Sequence, residues 1–464
     1  MLKSLLISFL ALLCCGCMHA MSPTASATAP PQHRGHQWVR AHPFTIMGLT
    51  RQFPKPFVPE TYRGAGFDVL LAWEPSQFDE LLPMAAENDL PYHVQLGKWG
   101  DKKTNTRDAN EKTLGEALGE IDSEKNRAYI RKLIDNPGCI GITCNDEVSK
   151  PTALRYTRHL LKWLRKQHPD ALVYSNAHPA GHSGDNLAYG TLERYVDEFA
   201  AIVDPDVLMT DIYPFGPPDG TFLGYFRLLN VIRHTALEQG MPYWVYIQSF
   251  KSSGSWTRRL PSESDLRFQI FAPLTYGFTG IVYYTYDVAI ECGLIEKDGK
   301  PNRLYHAAAR VNPEVANLGT ALRFLTSTDI RYVPGRHKDE KGGNAIVVNP
   351  LPTDTRAWTP GAGGDSHITN IAVDSTGEEK DGLLGFFRDD RGDRYFMLTN
   401  LWRGDPSLTF TVTFAPEVKI LYRLSRITGK TESVDVDHGV LRIRLPAGTG
   451  DLFKYTADPF PGGE

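Results

Sequence analysis

The sequence predicts an α/β chain in which a (β/α)8 barrel of the TIM type is followed by an all-β sandwich. Three observations predict this. Eight short apolar runs alternate with amphipathic stretches between His42 and about Ser327, the pattern of parallel strands covered by crossover helices. After about Ser327 the helical periodicity stops, and alternating strands separated by loops rich in Gly, Asp and Pro take over. All eight apolar runs end in polar or aromatic residues, and in such barrels the C-terminal strand ends carry the chemistry.

The chain begins with Met1-Leu2-Lys3-Ser4 and an apolar run from Leu5 to Leu13, then Cys14-Cys15-Gly16-Cys17. One charge, a short apolar stretch and small residues make a secretory signal, too short to span a bilayer. Its ending resembles bacterial lipoprotein signals, with Cys17 after Gly16 as the residue that would be lipidated, although Cys14 stands where that family prefers Leu. The resemblance implies a cell-envelope location on a lipid anchor, which dual acylation makes stable. Residues 1–16 are thus the expected signal and 17–38, rich in Ala, Ser, Thr and Pro, an expected disordered tether. The barrel is expected over 39–328 and the sandwich over 329–464.

The strand runs are Phe44–Leu49, Phe67–Trp73, Tyr92–Leu96, Ile140–Cys144, Ala171–Ser175, Val207–Tyr213, Tyr243–Ile247 and Gly280–Tyr286. Helical stretches follow at Gln77–Asn88, Ser123–Ile134, Thr152–Gln167, Leu187–Ile202, Phe222–Gln239 and Ser262–Tyr276. Pro151 suits the first turn of its helix, and Glu263 and Asp265 suit the positive end of theirs. A closing helix over Arg303–Ser327 is expected to kink or restart at Pro313. In the sandwich, Leu384–Leu398 reads as a hairpin around Asp390-Arg391-Gly392-Asp393. Its Arg-Gly-Asp is read as a turn rather than an adhesion signal.

Composition narrows the partners. The net charge of −4, or −5 without the signal and its Lys3, offers no basic face to nucleic acid. Three cysteines remain beyond the signal, Cys139, Cys144 and Cys292, and no His cluster accompanies them. They read as small buried groups, neither a disulfide pair nor a metal site. Oligomeric state is not legible.

The strand tips suit sugars, which need hydroxyl-bonding groups beside flat apolar faces. The fourth run ends in Asn145-Asp146-Glu147, two adjacent carboxylates that an extended strand would point to opposite sides. Glycoside cleavage needs a carboxylic acid to protonate the leaving oxygen and a second carboxylate opposite. Glu147 is the expected acid, and Asp146, Asp211 and Asp287 are candidates for the second role. Trp73, Trp99, Tyr213 and Tyr286 are candidate stacking faces, and His93, Asn145, His178 and Gln248 candidate hydroxyl contacts. Each has a bland structural reading as well: rim packing for the rings, turn capping for the aspartates, a satisfied core position for the histidines.

With Asn145-Asp146-Glu147, the Asp211-Ile212-Tyr213-Pro214 ending and Gly280-Ile281-Val282-Tyr283-Tyr284-Thr285-Tyr286 in this order, the chain resembles glycoside hydrolases with a clan-A-like barrel. The segment Arg310–Gly319 resembles the helix that joins such barrels to a C-terminal sandwich, and the resemblance covers about residues 40–455. It implies hydrolysis of O-glycosidic bonds in a carbohydrate, with no metal or organic cofactor. Retaining members carry a Glu nucleophile on the seventh strand, whereas Gln248 stands here. Three expectations follow: another tip supplies that group, a substrate acetamido group does so with Asp146-Glu147 orienting it, or the barrel binds glycan without cleaving it.

Overall fold

A computed structural model describes residues 33–51, 57–97, 99–106, 108–179, 189–216, 222–287, 290–335, 337–338, 344–345, 355–374, 381–403 and 407–463 of the 464-residue chain. Cys17, the signal and residues 17–32 of the expected tether lie outside them. Residues 34–38, also expected as tether, form helix instead. Helix α1 (Arg34–Ala41) buries Trp38 and Val39 among the barrel's interior side chains. Arg34 ties it down through Asp206 and the Ala171 carbonyl. An aromatic and a β-branched residue on one helix face close the N-terminal end of the barrel, which a polar tether could not do.

The barrel strands are β1 (Thr45–Thr50), β2 (Val69–Ala72), β3 (Tyr92–Gln95), β4 (Cys139–Thr143), β5 in two pieces (Leu172–Tyr174 and Asn176–Ala177), β6 (Leu208–Asp211), β7 (Tyr243–Gln248) and β8 (Gly280–Tyr284). All neighbours pair in parallel, and β1 pairs with both β2 and β8. The first piece of β5 pairs with β4 and the second with β6. Nine strand segments therefore make eight staves, and the ring closes through Ser175.

Side chains alternate across each stave. Met47, Leu49, Val69, Leu71, Leu172, Tyr174, Met209, Trp244, Tyr246 and Val282 fill the interior. The intervening residues pack outward against the helices. Those helices are α2 (Pro59–Gly64), α3 (Phe78–Glu87), α4 (Asp101–Thr104), α5 (Glu111–Ile121), α6 (Glu124–Ile134), α7 (Pro151–Gln167), α8 (Leu192–Val203), α9 (Phe222–Gln239), α10 (Glu263–Tyr276) and α11 (Arg303–Leu322). The sequence pattern had no expectation for α2, α4 or α5. Helix α11 runs unbroken through Pro313, because Val311, Val315 and Leu318 bury on either side of it and hold the axis. Cys139, Cys144 and Cys292 are buried free thiols.

The sandwich begins with β9 (Thr326–Val333), then β10 (Ile368–Asp374), β11 (Gly382–Arg388), β12 (Arg394–Asn400), β13 (Leu408–Phe414), β14 (Ile420–Leu424), β15 (Thr431–Asp435), β16 (Val440–Leu445) and β17 (Gly450–Lys454). One sheet has the order β9-β11-β12-β17-β14-β15 and the facing sheet β10-β13-β16. The larger sheet is buried on both faces. Leu384, Phe386, Phe396, Leu398 and Phe453 face the smaller sheet, and Leu383, Phe387, Tyr395, Met397 and Leu452 face the barrel helices. A Cβ on Gly385 would stand 2.2 Å from the Thr275 carbonyl of α10, so only glycine allows this approach. Ion pairs frame the seam, Arg267 and Arg426 both meeting Glu314, at 2.8 and 2.9 Å. In the β11–β12 hairpin, Arg391 pairs with Asp389 and Asp393 of the same turn, a structural use of the Arg-Gly-Asp tripeptide.

Candidate active site

The interior periodicity of the staves carries straight into the site. Continuing inward from Met209 on β6 comes Asp211; from Tyr174 on β5, Asn176; from Val282 on β8, Tyr284; from Leu71 on β2, Trp73. This top layer lies at the C-terminal end of the barrel, over apolar layers that exclude water from below.

At the end of β4 the chain leaves the extended state. Asn145 and Glu147 have φ of 52° and 54°, left-handed values that cost energy in residues other than glycine. The two neighbouring carboxylates are therefore not placed on opposite sides of a strand as expected. The Asn176 amide nitrogen donates to Asp146 Oδ1 at 3.1 Å and to Asp211 Oδ1 at 2.9 Å. Glu147 lies near enough that its charge acts on Asp211 more than that of Asp146 does. The turn is fixed by backbone bonds, Glu147 N–H to the Asn176 carbonyl at 3.1 Å and Asn145 N–H to the Gly97 carbonyl at 3.1 Å.

Asp211 is only 4% exposed. Burial, then the Glu147 and Asp146 charges, push its carboxyl well above the usual range, and the bonds from Asn176 and Tyr213 offset only part of that. The like charges of the three carboxylates thus act against ionisation of Asp211, their most buried member. Asp146 and Glu147 are half-buried.

Beside this cluster stands an aromatic wall. Tyr213 and Tyr284 have ring centroids 5.4 Å apart, Phe250 lies 5.2 Å from Tyr213, and Trp256 lies 5.9 Å from Tyr213 and 5.1 Å from Phe250. Trp256 is 39% exposed. Burial raises the Tyr284 hydroxyl; Arg51 pulls it down and the three carboxylates push it up. The opposite rim holds Arg51, paired to Glu74 at 2.9 Å, and buried Asp287, which accepts from the Arg51 backbone N–H at 2.9 Å. Asp287 thus braces Arg51 at the end of β1.

Several expected contacts have other places. His93 is fully buried deep in the barrel, 3.0 Å from the Tyr174 hydroxyl and stacked on Trp244; burial lowers it to about 3, so it is neutral. The Asn145 amide donates outward to Thr157 of α7 at 3.1 Å. Trp99 packs between Tyr129 of α6 and Trp163 of α7. Tyr286 is buried behind the barrel wall against Tyr62 and Phe67. Gln248 is buried, with its amide bonded to the Phe215 N–H and to the Phe215 and Arg259 carbonyls at 2.9, 3.3 and 2.8 Å. These five side chains are used in packing or bracing. Trp73 and Tyr213 lie in the top layer, and half-buried His178 stands at the end of β5 with its N–H donated to Tyr195. Residues 52–56 and 98, next to the ends of β1 and β3, lie outside the described residues.

Sequence reasoning passed over Asn176 and Trp256 as site residues and read the Tyr284 ring chiefly as rim packing. Asn176 and Tyr284 were legible from inward parity on β5 and β8. Trp256 had only a Gly-Ser-Trp run in a Ser-rich loop. Among the described residues no group of three His, Cys, Asp or Glu is arranged to hold a metal.

No family model and no curated protein matches the sequence. Solved structures similar to it include an α-amylase from Geobacillus thermoleovorans complexed with acarbose, at 10% identity over 90% of this chain and 98% of that one, TM-score 0.47. A β-L-arabinopyranosidase from Geobacillus stearothermophilus in complex with arabinose is 9% identical over 92% and 99% of the two chains, TM-score 0.46. An α-L-arabinofuranosidase from Thermotoga maritima is 11% identical over 89% and 96%, TM-score 0.44.

Proposed function

We propose that the protein is a glycoside hydrolase that cleaves O-glycosidic bonds of a poly- or oligosaccharide, with Glu147 as general acid. The observation that carries this is the cluster of Asp146, Glu147 and Asp211 around Asn176, beside an aromatic wall at the C-terminal end of the barrel. In this reading Glu147, half-buried and one methylene longer than its neighbours, delivers the proton to the leaving oxygen. The C–O bond breaks with positive charge growing on the sugar ring. Asp146 and Asp211 are the proposed orienting and opposing carboxylates. Tyr213, Tyr284 and Trp256 offer ring faces.

The test is incubation with a glycan panel, scoring new reducing ends for wild type and Glu147→Gln. Products from wild type and a loss of about 10²–10⁴-fold in the variant are expected. Aryl glycosides with good leaving groups, which need less protonation, should recover much of the variant's rate if Glu147 is the acid. A second reading, glycan binding without cleavage, is favoured by one observation, the Gln248 amide bound to backbone at the seventh tip. It predicts binding in both proteins and products in neither.

We also propose export and anchoring through Cys17, supported by the Lys3-to-Cys17 sequence. Incorporation of a labelled fatty acid that disappears in Cys17→Ala is the expected result. No described helix is long and apolar enough to cross a membrane.

A further inference from the structure

Apart from Tyr284 of β8, the aromatic wall belongs to two loops, 212–216 after β6 and 249–259 after β7. They are stitched together at Phe215. Its N–H and carbonyl are held by the Gln248 amide, and its carbonyl also accepts from Arg259 N–H at 3.0 Å. The Phe215 ring has two guanidinium groups beside it, Arg259 at 5.0 Å and Arg403 at 5.5 Å from its centroid. Both cations converge on one buried carboxylate. Asp265 meets Arg259 through both oxygens, at 2.5 and 3.1 Å, and Arg403 at 2.8 Å. Arg258, next in the chain to Arg259, donates to the Tyr213 carbonyl at 3.0 Å and lies over the Trp256 ring at 5.3 Å.

Of these groups only Arg403 comes from the sandwich, in the loop after β12, where Ser264 of α10 donates to its carbonyl at 2.7 Å. We propose that Arg403 is a positioning residue through which the sandwich holds Tyr213 and Trp256 in place beside the carboxylates. Removing it strips one face of the Phe215 ring and one of two cations from Asp265. The wall loosens while Arg259 still neutralises Asp265, so the barrel stays folded. The consequence for catalysis rests on the hydrolase reading; the consequence for loop order does not.

The experiment compares Arg403→Met with Arg426→Met in the full chain. Arg426 crosses the same seam, to Glu314, without touching either loop. Backbone hydrogen exchange is measured over 212–216 and 249–259, and kcat and KM on whichever panel glycan wild type cleaves. Faster exchange in both loops is expected in Arg403→Met alone, with KM raised about tenfold and kcat within about twofold. Arg403→Lys, which keeps the ion pair but not the planar group over Phe215, should fall between. Unchanged loop exchange in Arg403→Met, or equal loosening in Arg426→Met, would overturn the proposal. If wild type cleaves no glycan, the hydrolase reading fails and the exchange comparison alone still decides the lock.

Discussion

Asp211 and Asp265 are the same residue type, 4% and 3% exposed, and they meet opposite fates. Burial pushes both carboxyls up. At Asp265 the Arg259 guanidinium and the Ser262 N–H and hydroxyl outweigh burial and hold it down at about 2. At Asp211 the nearest charges, Glu147 and Asp146, add to burial and push it further up. Depth thus does not decide whether a carboxylate is structural or chemical; the sign of its neighbours does. The carboxylate with two cations joins sandwich to barrel. The one among like charges sits where protonation of a carboxyl is favoured.

The sharpest way to break this contrast is to neutralise each group in turn. Glu147→Gln should remove most hydrolysis while leaving the melting temperature near wild type, since a half-exposed turn residue changes little in the core. Asp265→Asn should instead cost about 1–3 kcal/mol of stability in denaturant unfolding, because partly exposed Arg259 and largely buried Arg403 would face a neutral amide. Asp211→Asn should be as stable as wild type or more so at neutral pH, since the amide puts no charge in a buried place beside Glu147 and Asp146, and should lose hydrolysis. The two aspartates also pull pH dependence in opposite directions. Asp265, held below the unfolded value of about 3.9, contributes about 2 kcal/mol present above that pH and lost as pH falls toward 2. Asp211, held above it, binds a proton the unfolded chain releases, so its contribution falls as pH rises from about 4 through its folded value. Stability curves of wild type and Asp211→Asn should therefore converge at acid pH and separate above it. The smallest expected effect is at the surface hairpin, where Arg391→Ala should change stability by less than about 0.5 kcal/mol.

The fold was legible because its signal is repetitive. Each stave repeats apolar residues that end in a polar tip, and the change to period two marks the sandwich. Short α2 and α4 carry too few turns to show a period, and the boundary of the tether was missed because one Trp and one Val in a polar stretch decide it. The site was legible only where a side chain follows strand parity. Asp211 and Trp73 do. Asn145 does not, since its left-handed backbone turns the amide toward α7, and Tyr286 stands past the end of β8, where the loop sends it behind the wall. His93 obeys parity but occupies too low a layer, a depth the strand pattern does not mark. Contacts that join distant segments, Asn176 between Asp146 and Asp211 or Arg403 against Phe215, leave no trace in local spacing.

The central claim is that burial and the neighbouring carboxylates raise the Asp211 carboxyl above the ordinary aspartate range. An infrared difference spectrum of wild type against Asp211→Asn, with the carboxyl groups isotope-labelled, tests it directly. The account predicts a protonated carboxyl band that the substitution removes and that persists above the pH at which an exposed aspartate loses its proton. A carboxylate band in its place, present down to the ordinary titration range of an exposed aspartate, would contradict it.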